Sequence, residues 1–251
     1  MRVLLRVAYD GTNYHGWQRQ ENAVSVESVL TAELQRLLKE DIELIGASRT
    51  DAGVHAMGNV AVFDTETTIP AEKICFAVNQ SLPPDIRVME SREVSADFHP
   101  RYTECIKTYE YVISNEKIYN PLTRLYAYGV YFPLDIGKMK EAAKYFVGEH
   151  DFAGFCSAGS QVKSTVRTIY DLQVIADRNA ASEIHIRVTG NGFLYNMVRI
   201  IAGTLISVGV GEREPEEIEK ILEAKDRSAA GPTAPAHGLT MIGIEYSEKN
   251  C

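Results

Sequence analysis

The sequence lacks the motifs through which most enzymes bind a cofactor. It has no G-x-x-x-x-G-K-[ST] phosphate loop, no G-x-G-x-x-G dinucleotide fingerprint, no H-E-x-x-H zinc motif and no nucleophile-elbow serine. Its four cysteines form no C-x-x-C pair, and its six histidines show no ligand spacing. These absences disfavour nucleotide-driven, dinucleotide-dependent and zinc-dependent chemistry. We therefore expect a reaction without metal or cofactor, and free thiols in a reducing cytoplasm.

Targeting segments and long apolar runs are also missing. No stretch has the basic, apolar and small-residue pattern of a signal peptide. The longest mainly apolar run, Phe193 to Val210, is interrupted by Asn196, Arg199 and two glycines. This run therefore predicts a buried helix rather than a membrane span, and we expect no membrane partner.

Positive charge is in short supply, since the formal net charge is -8. Phosphate binding needs positive charge, so this sum argues weakly against a nucleic-acid partner. However, six acids fall within residues 212–223, whereas the first 60 residues carry a series of basic side chains, including Arg19, Arg36 and Arg49. Composition alone therefore leaves the partner open.

The first hundred residues alternate in the order β-α-β-β-α-β. Hydrophobic periodicity and turn residues predict strands over 2–9, 42–47, 58–64 and 85–94. A helix is predicted over 25–39, with Ser25 as its N-cap, and a second helix begins near Pro70. This order is that of the ferredoxin-like unit, an antiparallel sheet with helices on one face.

The remaining residues also run as strands, helix, strands, helix and strand. Strands are predicted over 107–114, 125–132, 165–176, 182–189 and 241–246, with a turn at Asp177–Asn179. Helices are predicted over 135–147, 193–207 and 215–225, and a loop over 148–163. The fold class is therefore α+β, with two ferredoxin-like α/β subdomains over residues 1–100 and 101–251. We expect their antiparallel sheets to be joined around a central cleft, the natural place for a site.

The connection between the second and third predicted strands is longer than a hairpin needs. It runs Gly46 to Ala56 as G-A-S-R-T-D-A-G-V-H-A and contains one acid, Asp51. An aspartate in such a loop is more often a turn residue than a catalyst. Arg49, two residues earlier, would keep this carboxylate ionised, as a nucleophile or general base requires. Both interpretations remain open on local chemistry.

Three further side chains have both a structural and a functional interpretation. Arg199, the only charge between Phe193 and Val210, either reaches solvent or carbonyls, or pairs with a carboxylate such as Asp51. Tyr109 shares a strand face with Tyr111, where packing is the commoner outcome and stacking on a base the alternative. Trp17 is expected to pack at a core edge rather than stack on nucleotides.

Several ordered motifs carry a family resemblance along the whole chain. The run Arg49-Thr50-Asp51-Ala52-Gly53-Val54-His55-Ala56 resembles the signature of the tRNA pseudouridine synthase A (TruA) family. Matching motifs in the same order are Tyr9-Asp10-Gly11-Thr12, Gly16-Trp17-Gln18-Arg19-Gln20, Asn79 to Leu82, Phe98-His99-Pro100-Arg101, Lys107 to Tyr111 and Asn196-Met197-Val198-Arg199. One departure is Ser48, where many members have Gly, and this small-for-small change puts little in doubt.

The resemblance implies a cofactor-independent isomerase that converts uridine to pseudouridine in the anticodon stem-loop of tRNA, at positions 38, 39 and 40. The family's catalytic aspartate falls on Asp51, and its basic residue beside the aspartate falls on Arg199. Its substrate-contacting tyrosine falls on Tyr109, and the arginine associated with the flipped nucleotide falls on Arg49. The resemblance also implies a homodimer whose surface cleft takes the tRNA.

Two rival functions remain. An RNA-binding module without catalysis would account for the predicted sheet and its aromatic residues, with Asp51 as a turn residue. An N-glycosidic hydrolase using the same aspartate would release free uracil and leave an abasic tRNA.

Overall fold

The computed structural model describes residues 1–159, 162–176 and 182–247. The chain divides into two compact units: unit 1 is Met1–Cys105 together with the strand from Thr240, and unit 2 is Ile106–Leu239. The sequence predicted a boundary near residue 100 and kept the last strand in the second domain, whereas here this strand groups with unit 1. The predicted turn at Asp177–Asn179 lies outside the described residues.

Unit 1 follows the predicted β-α-β-β-α-β order. Its elements are β1 (Arg2–Tyr9), α1 (Val26–Leu38), β2 (Ile45–Gly46), β3 (His55–Asp64), α2 (Ala71–Val78) and β4 (Ile86–Val94). The strands lie in the order β4-β1-β3-β2 and all three pairings are antiparallel. This is the spatial order of the ferredoxin-like unit.

Local chemistry explains the helices of unit 1. Ser25 caps α1 as predicted, because its side chain accepts from the Ser28 N–H while the Ser28 hydroxyl accepts from the Ser25 N–H. Helix α2 is tied to β4 through Asn79, whose side-chain amide bonds both the C=O and the N–H of Val88 at 2.8 Å. These bonds satisfy polar groups that would otherwise be buried without a hydrogen-bond partner.

Unit 2 contains a second set of strands with an antiparallel core. Its elements are β5 (Cys105–Ser114), β6 (Tyr128–Gly129), α3 (Ile136–Lys144), β7 (Gly148–Asp151), β8 (Val166–Ala176), β9 (Glu183–Gly190), α4 (Met197–Gly209) and α5 (Glu217–Ala224). Strands lie in the order β5-β9-β8-β7 with antiparallel pairing, and β6 pairs in parallel with β5. The order β5-β9-β8 repeats β1-β3-β2 of unit 1, as a duplicated architecture would.

The last strand, β10 (Leu239–Tyr246), pairs in parallel with the beginning of β3, with Thr240 opposite His55. Strand β2 pairs with the other end of β3, where Ile45 is opposite Val62. The α+β class is thus confirmed, with mostly antiparallel pairing, whereas a cleft between two subdomains stays a prediction. No helix in the described ranges is long and apolar enough to cross a membrane.

Two predicted elements of unit 2 were wrong. The strand predicted over 125–132 is reduced to Tyr128–Gly129, because the residues after Asn120 fold into successive turns through N–H bonds from Thr123 and Tyr126. The loop predicted over 148–163 begins instead with β7, which pairs with β8. Gly148, at φ +113, makes the turn that starts this strand.

Candidate active site

The Asp51 loop, residues 47–54, is clamped by the segment that follows β1. The Trp17 N–H donates to the Thr50 C=O at 3.1 Å, and the Gly53 N–H donates to the Tyr14 C=O at 3.2 Å. Within the loop, the Val54 N–H donates to the Asp51 C=O at 3.1 Å. Backbone bonds on both sides of Asp51 therefore fix the path of the chain that carries its side chain.

Two glycines let the clamping segment come this close. Gly16 has φ +81, and a Cβ at this position would lie 2.3 Å from the Thr50 carbonyl oxygen. A Cβ on Gly11 would lie 2.0 Å from the Val54 carbonyl oxygen. Any larger residue would push the loop away, so the spacing of glycines between Tyr9 and Trp17 has a direct structural cause.

Trp17 packs at the core edge, as predicted, and does not present a surface for nucleotides. Its side chain is 1% exposed, and its ring lies 5.8 Å from the Tyr9 ring. A Cβ on Gly46 would lie 2.1 Å from the Trp17 Nε1 atom, so the indole also covers the end of β2. Nε1 is buried and has no hydrogen-bond partner in the part of the chain that the structure describes.

Tyr14 supports the loop through a second set of contacts. Its carbonyl holds Gly53, while its hydroxyl donates to Asp85 Oδ1 at 2.7 Å. Burial and this hydrogen bond to a carboxylate raise the pKa of the Tyr14 phenol. The hydroxyl therefore stays a donor, and Asp85 anchors the far end of the clamp.

Sequence reasoning missed the polar residues beneath the loop. The Asn59 side chain is fully buried and donates from Nδ2 to the Ser48 C=O at 3.1 Å. The Tyr9 hydroxyl lies 2.7 Å from Thr50 Oγ1. Arg101 Nε donates to the Gly46 C=O at 2.7 Å. The available signal was Asn59 itself, an amide next to the apolar residues 60–63, since a buried polar group needs partners.

His55, within the signature, is a buried structural residue. It is 4% exposed, and its Nδ1 accepts from the Gly11 N–H at 3.0 Å. Asp10 Oδ1 lies 3.2 Å from the same nitrogen. The ring thus joins the start of β3 to the clamping segment.

The two charged side chains of the loop both reach solvent. Arg49 is exposed and Asp51 is half-buried, between the buried side chains of Ser48, Thr50 and Val54. A substrate could therefore reach the carboxylate. Whether Arg49 keeps Asp51 ionised stays a prediction.

In unit 2, Arg199 lies on the first turn of α4 and is half-buried. Its Nε donates to the Ala234 C=O at 2.7 Å and its Nη1 donates to Asn196 Oδ1 at 2.8 Å. Bonding of the guanidinium to a backbone carbonyl, one of the two interpretations left open by the sequence, is thus observed. Asp51 belongs to unit 1, and its pairing with Arg199 stays a prediction.

The loop that Arg199 binds is itself firmly packed. Its Gly231 N–H donates to Thr204 Oγ1 at 2.9 Å, and a Cβ on Gly203 would lie 1.9 Å from the Pro232 carbonyl oxygen. Because Gly203 has no side chain, the segment from Gly231 lies directly on α4. This packed segment gives Arg199 a rigid partner.

Tyr109 and Tyr111 both lie on the buried face of β5. Tyr109 is 8% exposed and packs edge-on against Phe193, with ring centroids 5.2 Å apart. The Tyr111 hydroxyl donates to the Pro235 C=O at 2.9 Å, and burial raises the pKa of this phenol. Packing therefore accounts for both rings, while a contact between Tyr109 and a substrate stays a prediction.

The structure thus brings Arg49 and Asp51 together on one clamped loop of unit 1. In unit 2, Arg199 and Tyr111 bind the adjacent carbonyls of Ala234 and Pro235. Among the described residues, no group of three or more His, Cys, Asp or Glu side chains could hold a metal ion. These features define an α+β protein with a partly exposed carboxylate on a rigid loop.

Comparison with known proteins gives the family. The tRNA pseudouridine synthase family matches residues 6–103 and 142–247. A tRNA pseudouridine synthase A from Thermoanaerobacter sp. (strain X514) is 49% identical, over 97% of this chain and 99% of that protein. A tRNA pseudouridine synthase A 2 from Clostridium tetani is 49% identical over 98% of both chains. One from Brevibacillus brevis is 48% identical, over 98% and 99%. The chain belongs to the tRNA pseudouridine synthase family.

Proposed function

We propose that this protein isomerises uridine to pseudouridine in the anticodon stem-loop of tRNA, at positions 38, 39 and 40, with Asp51 as the catalytic carboxylate. Family membership over nearly the full chain supports the reaction and the tRNA substrate. The resemblance of the residues around Asp51 to the family signature supports the choice of carboxylate. Three residues complete the proposed site: Arg199, Tyr109 and Arg49.

The observation that carries the proposal is the clamp on the Asp51 loop. Catalytic groups act best when their geometry is fixed before the substrate arrives. The bonds from Trp17 to Thr50 and from Gly53 to Tyr14 hold the backbone on each side of Asp51, yet its side chain is only half-buried. A fixed backbone that leaves a carboxylate accessible is the arrangement that a catalytic role requires.

The proposed reaction exchanges one bond for another within the same nucleotide. The bond between C1′ and N1 breaks, the uracil rotates, and a bond between C1′ and C5 forms. C5 then loses its proton and N1 gains one, so the product is an isomer of the substrate and no cofactor is consumed. The target base must first leave its stack, which costs a few kcal/mol. Asp51 acts either as a nucleophile or as the base that removes the C2′ proton.

The other proposed site residues have distinct roles. Arg199 is the cation that pairs with Asp51, and its bonds to Asn196 and to the Ala234 carbonyl would limit where that cation can lie. Tyr109 contacts the uracil, and its packing on Phe193 would fix the ring plane. Arg49, exposed beside Asp51, contacts the flipped nucleotide. The resemblance further suggests a homodimer acting in the cytoplasm.

A tritium-release assay on tRNA labelled at uridine C5 tests the proposal. We expect release from the wild-type protein, and none from Asp51→Asn, which keeps the side-chain shape but removes the charge. Asp51→Asn should bind tRNA nearly as well as the wild type. Asp41→Asn, an exposed acid in the same unit, is the matched control and should remain active.

Three results would contradict this assignment. Full activity of Asp51→Asn would show that another group is the catalyst. Binding of tRNA by the wild-type protein without tritium release would favour an RNA-binding module. Release of free uracil with an abasic tRNA would favour the hydrolase.

A further inference from the structure

A cavity of about 400 Å³ within unit 2 contains none of the residues assigned above to the active site. We call it the tyrosine pocket. Its lining includes Glu116, Lys117, Tyr119, Tyr128, Tyr131 and His237. A nucleobase could enter this space, which is surrounded by three aromatic rings, one cation, one carboxylate and one imidazole.

Backbone contacts hold the walls of the tyrosine pocket in place. Strand β6, which carries Tyr128, pairs with β5, and Asn115 Nδ2 donates to the carbonyls of Val130 and Phe132 at 2.7 Å each. The Tyr119 ring lies against Gly129, where an added Cβ would be 3.0 Å from Cδ2. Tyr119 and Tyr128 are therefore held in place before any ligand binds.

The rings are more exposed than packing alone would require. Tyr131 is 67% exposed and Tyr119 is 42% exposed. Tyr128 meets His237 edge-on, with centroids 6.3 Å apart at 72°. Aromatic side chains that keep a face open are the surfaces on which unpaired RNA bases stack.

The charged residues of the tyrosine pocket match the rest of a nucleotide. Lys117 is exposed and forms no ion pair with any residue in the described ranges, so it can meet a phosphate. Glu116 uses Oε1 to accept from the Ser182 hydroxyl at 2.8 Å, and its second oxygen can accept from a base N–H. A lone apolar patch would lack this combination.

We propose that the tyrosine pocket binds an unpaired nucleotide of the tRNA substrate other than the uridine that reacts. Its base stacks on the tyrosine rings and its phosphate meets Lys117. This inference rests on the proposed function. The pocket also adjoins the segment that holds Arg199, because His237 follows the carbonyls of Ala234 and Pro235 within three residues.

Steady-state tritium release from tRNA, measured for four variants, tests the inference. Tyr131→Ala should raise KM roughly 5- to 150-fold, as expected for losing one stacked base, with kcat within about twofold. Tyr131→Trp should keep the wild-type KM. Lys117→Gln should reduce the slope of log KM against log salt by about one. Tyr170→Ala, which is 49% exposed on β8 and outside the pocket, is the control.

Crosslinking gives a readout that does not depend on turnover. Irradiated tRNA carrying 5-bromouridine in its anticodon loop should form a covalent crosslink to Tyr119, Tyr128 or Tyr131. An unchanged KM for Tyr131→Ala, or attachment only elsewhere, would overturn the inference while leaving the proposed function intact. A change of oligomeric state in Tyr131→Ala, seen by sedimentation, would overturn it in favour of an interface between copies. Pocket-dependent tRNA binding without tritium release would instead refute the proposed function alone.

Discussion

Gly16→Ala should uncouple the Asp51 loop from its clamp. An alanine at φ +81 is in the left-handed region, which costs a non-glycine residue about 1–2 kcal/mol. Its Cβ would also lie 2.3 Å from the Thr50 carbonyl oxygen, and backbone cannot move aside as a flexible side chain can. Overpacking of this kind typically costs a further 1–3 kcal/mol. The expected loss of unfolding free energy is therefore about 2–5 kcal/mol.

Gly211→Ala is the matched control, because Gly211 has φ +84 and an added Cβ there meets nothing within 4 Å. It should lose only the 1–2 kcal/mol of the backbone term. At about 2–4 °C per kcal/mol for a protein of this size, Gly16→Ala should melt well below Gly211→Ala. Both variants are compared by thermal unfolding and by tritium release.

Activity separates loop displacement from general destabilisation. A shift of about 1 Å in a catalytic group can cost about 100-fold in rate. We expect Gly16→Ala to lose about this much kcat at a temperature where it is fully folded, while Gly211→Ala keeps its kcat. Equal melting temperatures and equal kcat for the two variants would refute the idea that the clamp positions Asp51.

Two further predictions concern unit 2. Arg199→Ala should lose activity and about 1–3 kcal/mol of stability, because the Ala234 carbonyl loses its donor; an unchanged melting temperature would show that the guanidinium does not anchor the loop. His185 and Arg187 hold the pKa of the Glu110 carboxyl below its ordinary value, against the effect of burial. The ionised Glu110 carboxylate therefore stabilises the folded protein above about pH 4.3, the ordinary pKa of a glutamate. This contribution is lost as pH falls below that value, towards the lower pKa of the folded state. The free energy of unfolding, measured with denaturant at pH 7 and about pH 3.5, should fall less for Glu110→Gln than for the wild type. An equal fall in the two proteins would contradict this prediction.

Local signals predicted the elements whose formation depends on local chemistry. Ser25 marked the start of α1 because its capping bonds are made to neighbouring residues. Periodicity marked the buried face of β5 through Tyr109 and Tyr111. The same approach failed for residues 125–132. Their tyrosines are typical of a strand, but backbone hydrogen bonds after Asn120 form turns instead. It also failed for β7, whose four residues are a strand only because β8 lies beside them.

Long-range contacts were beyond the reach of sequence patterns. No sequence pattern connects Arg199 with Ala234 or Tyr111 with Pro235, because these partners are far apart in the chain. It also could not assign the last strand, whose partner in unit 1 is β3 at His55. Pairing with a distant strand depends on the assembled sheet, and the eight residues of β10 carry no local mark of their partner.

Most residues around Asp51 have a structural role. Burial against the core explains Ser48, Thr50 and Val54, and the bond from Gly11 explains His55. Gly53, at φ +78, makes the turn that Tyr14 holds. Hence most of the signature maintains a backbone shape. Arg49 and Asp51 are the charged side chains that this shape leaves accessible, and a rigid loop that presents a carboxylate to a substrate is what the proposed chemistry requires.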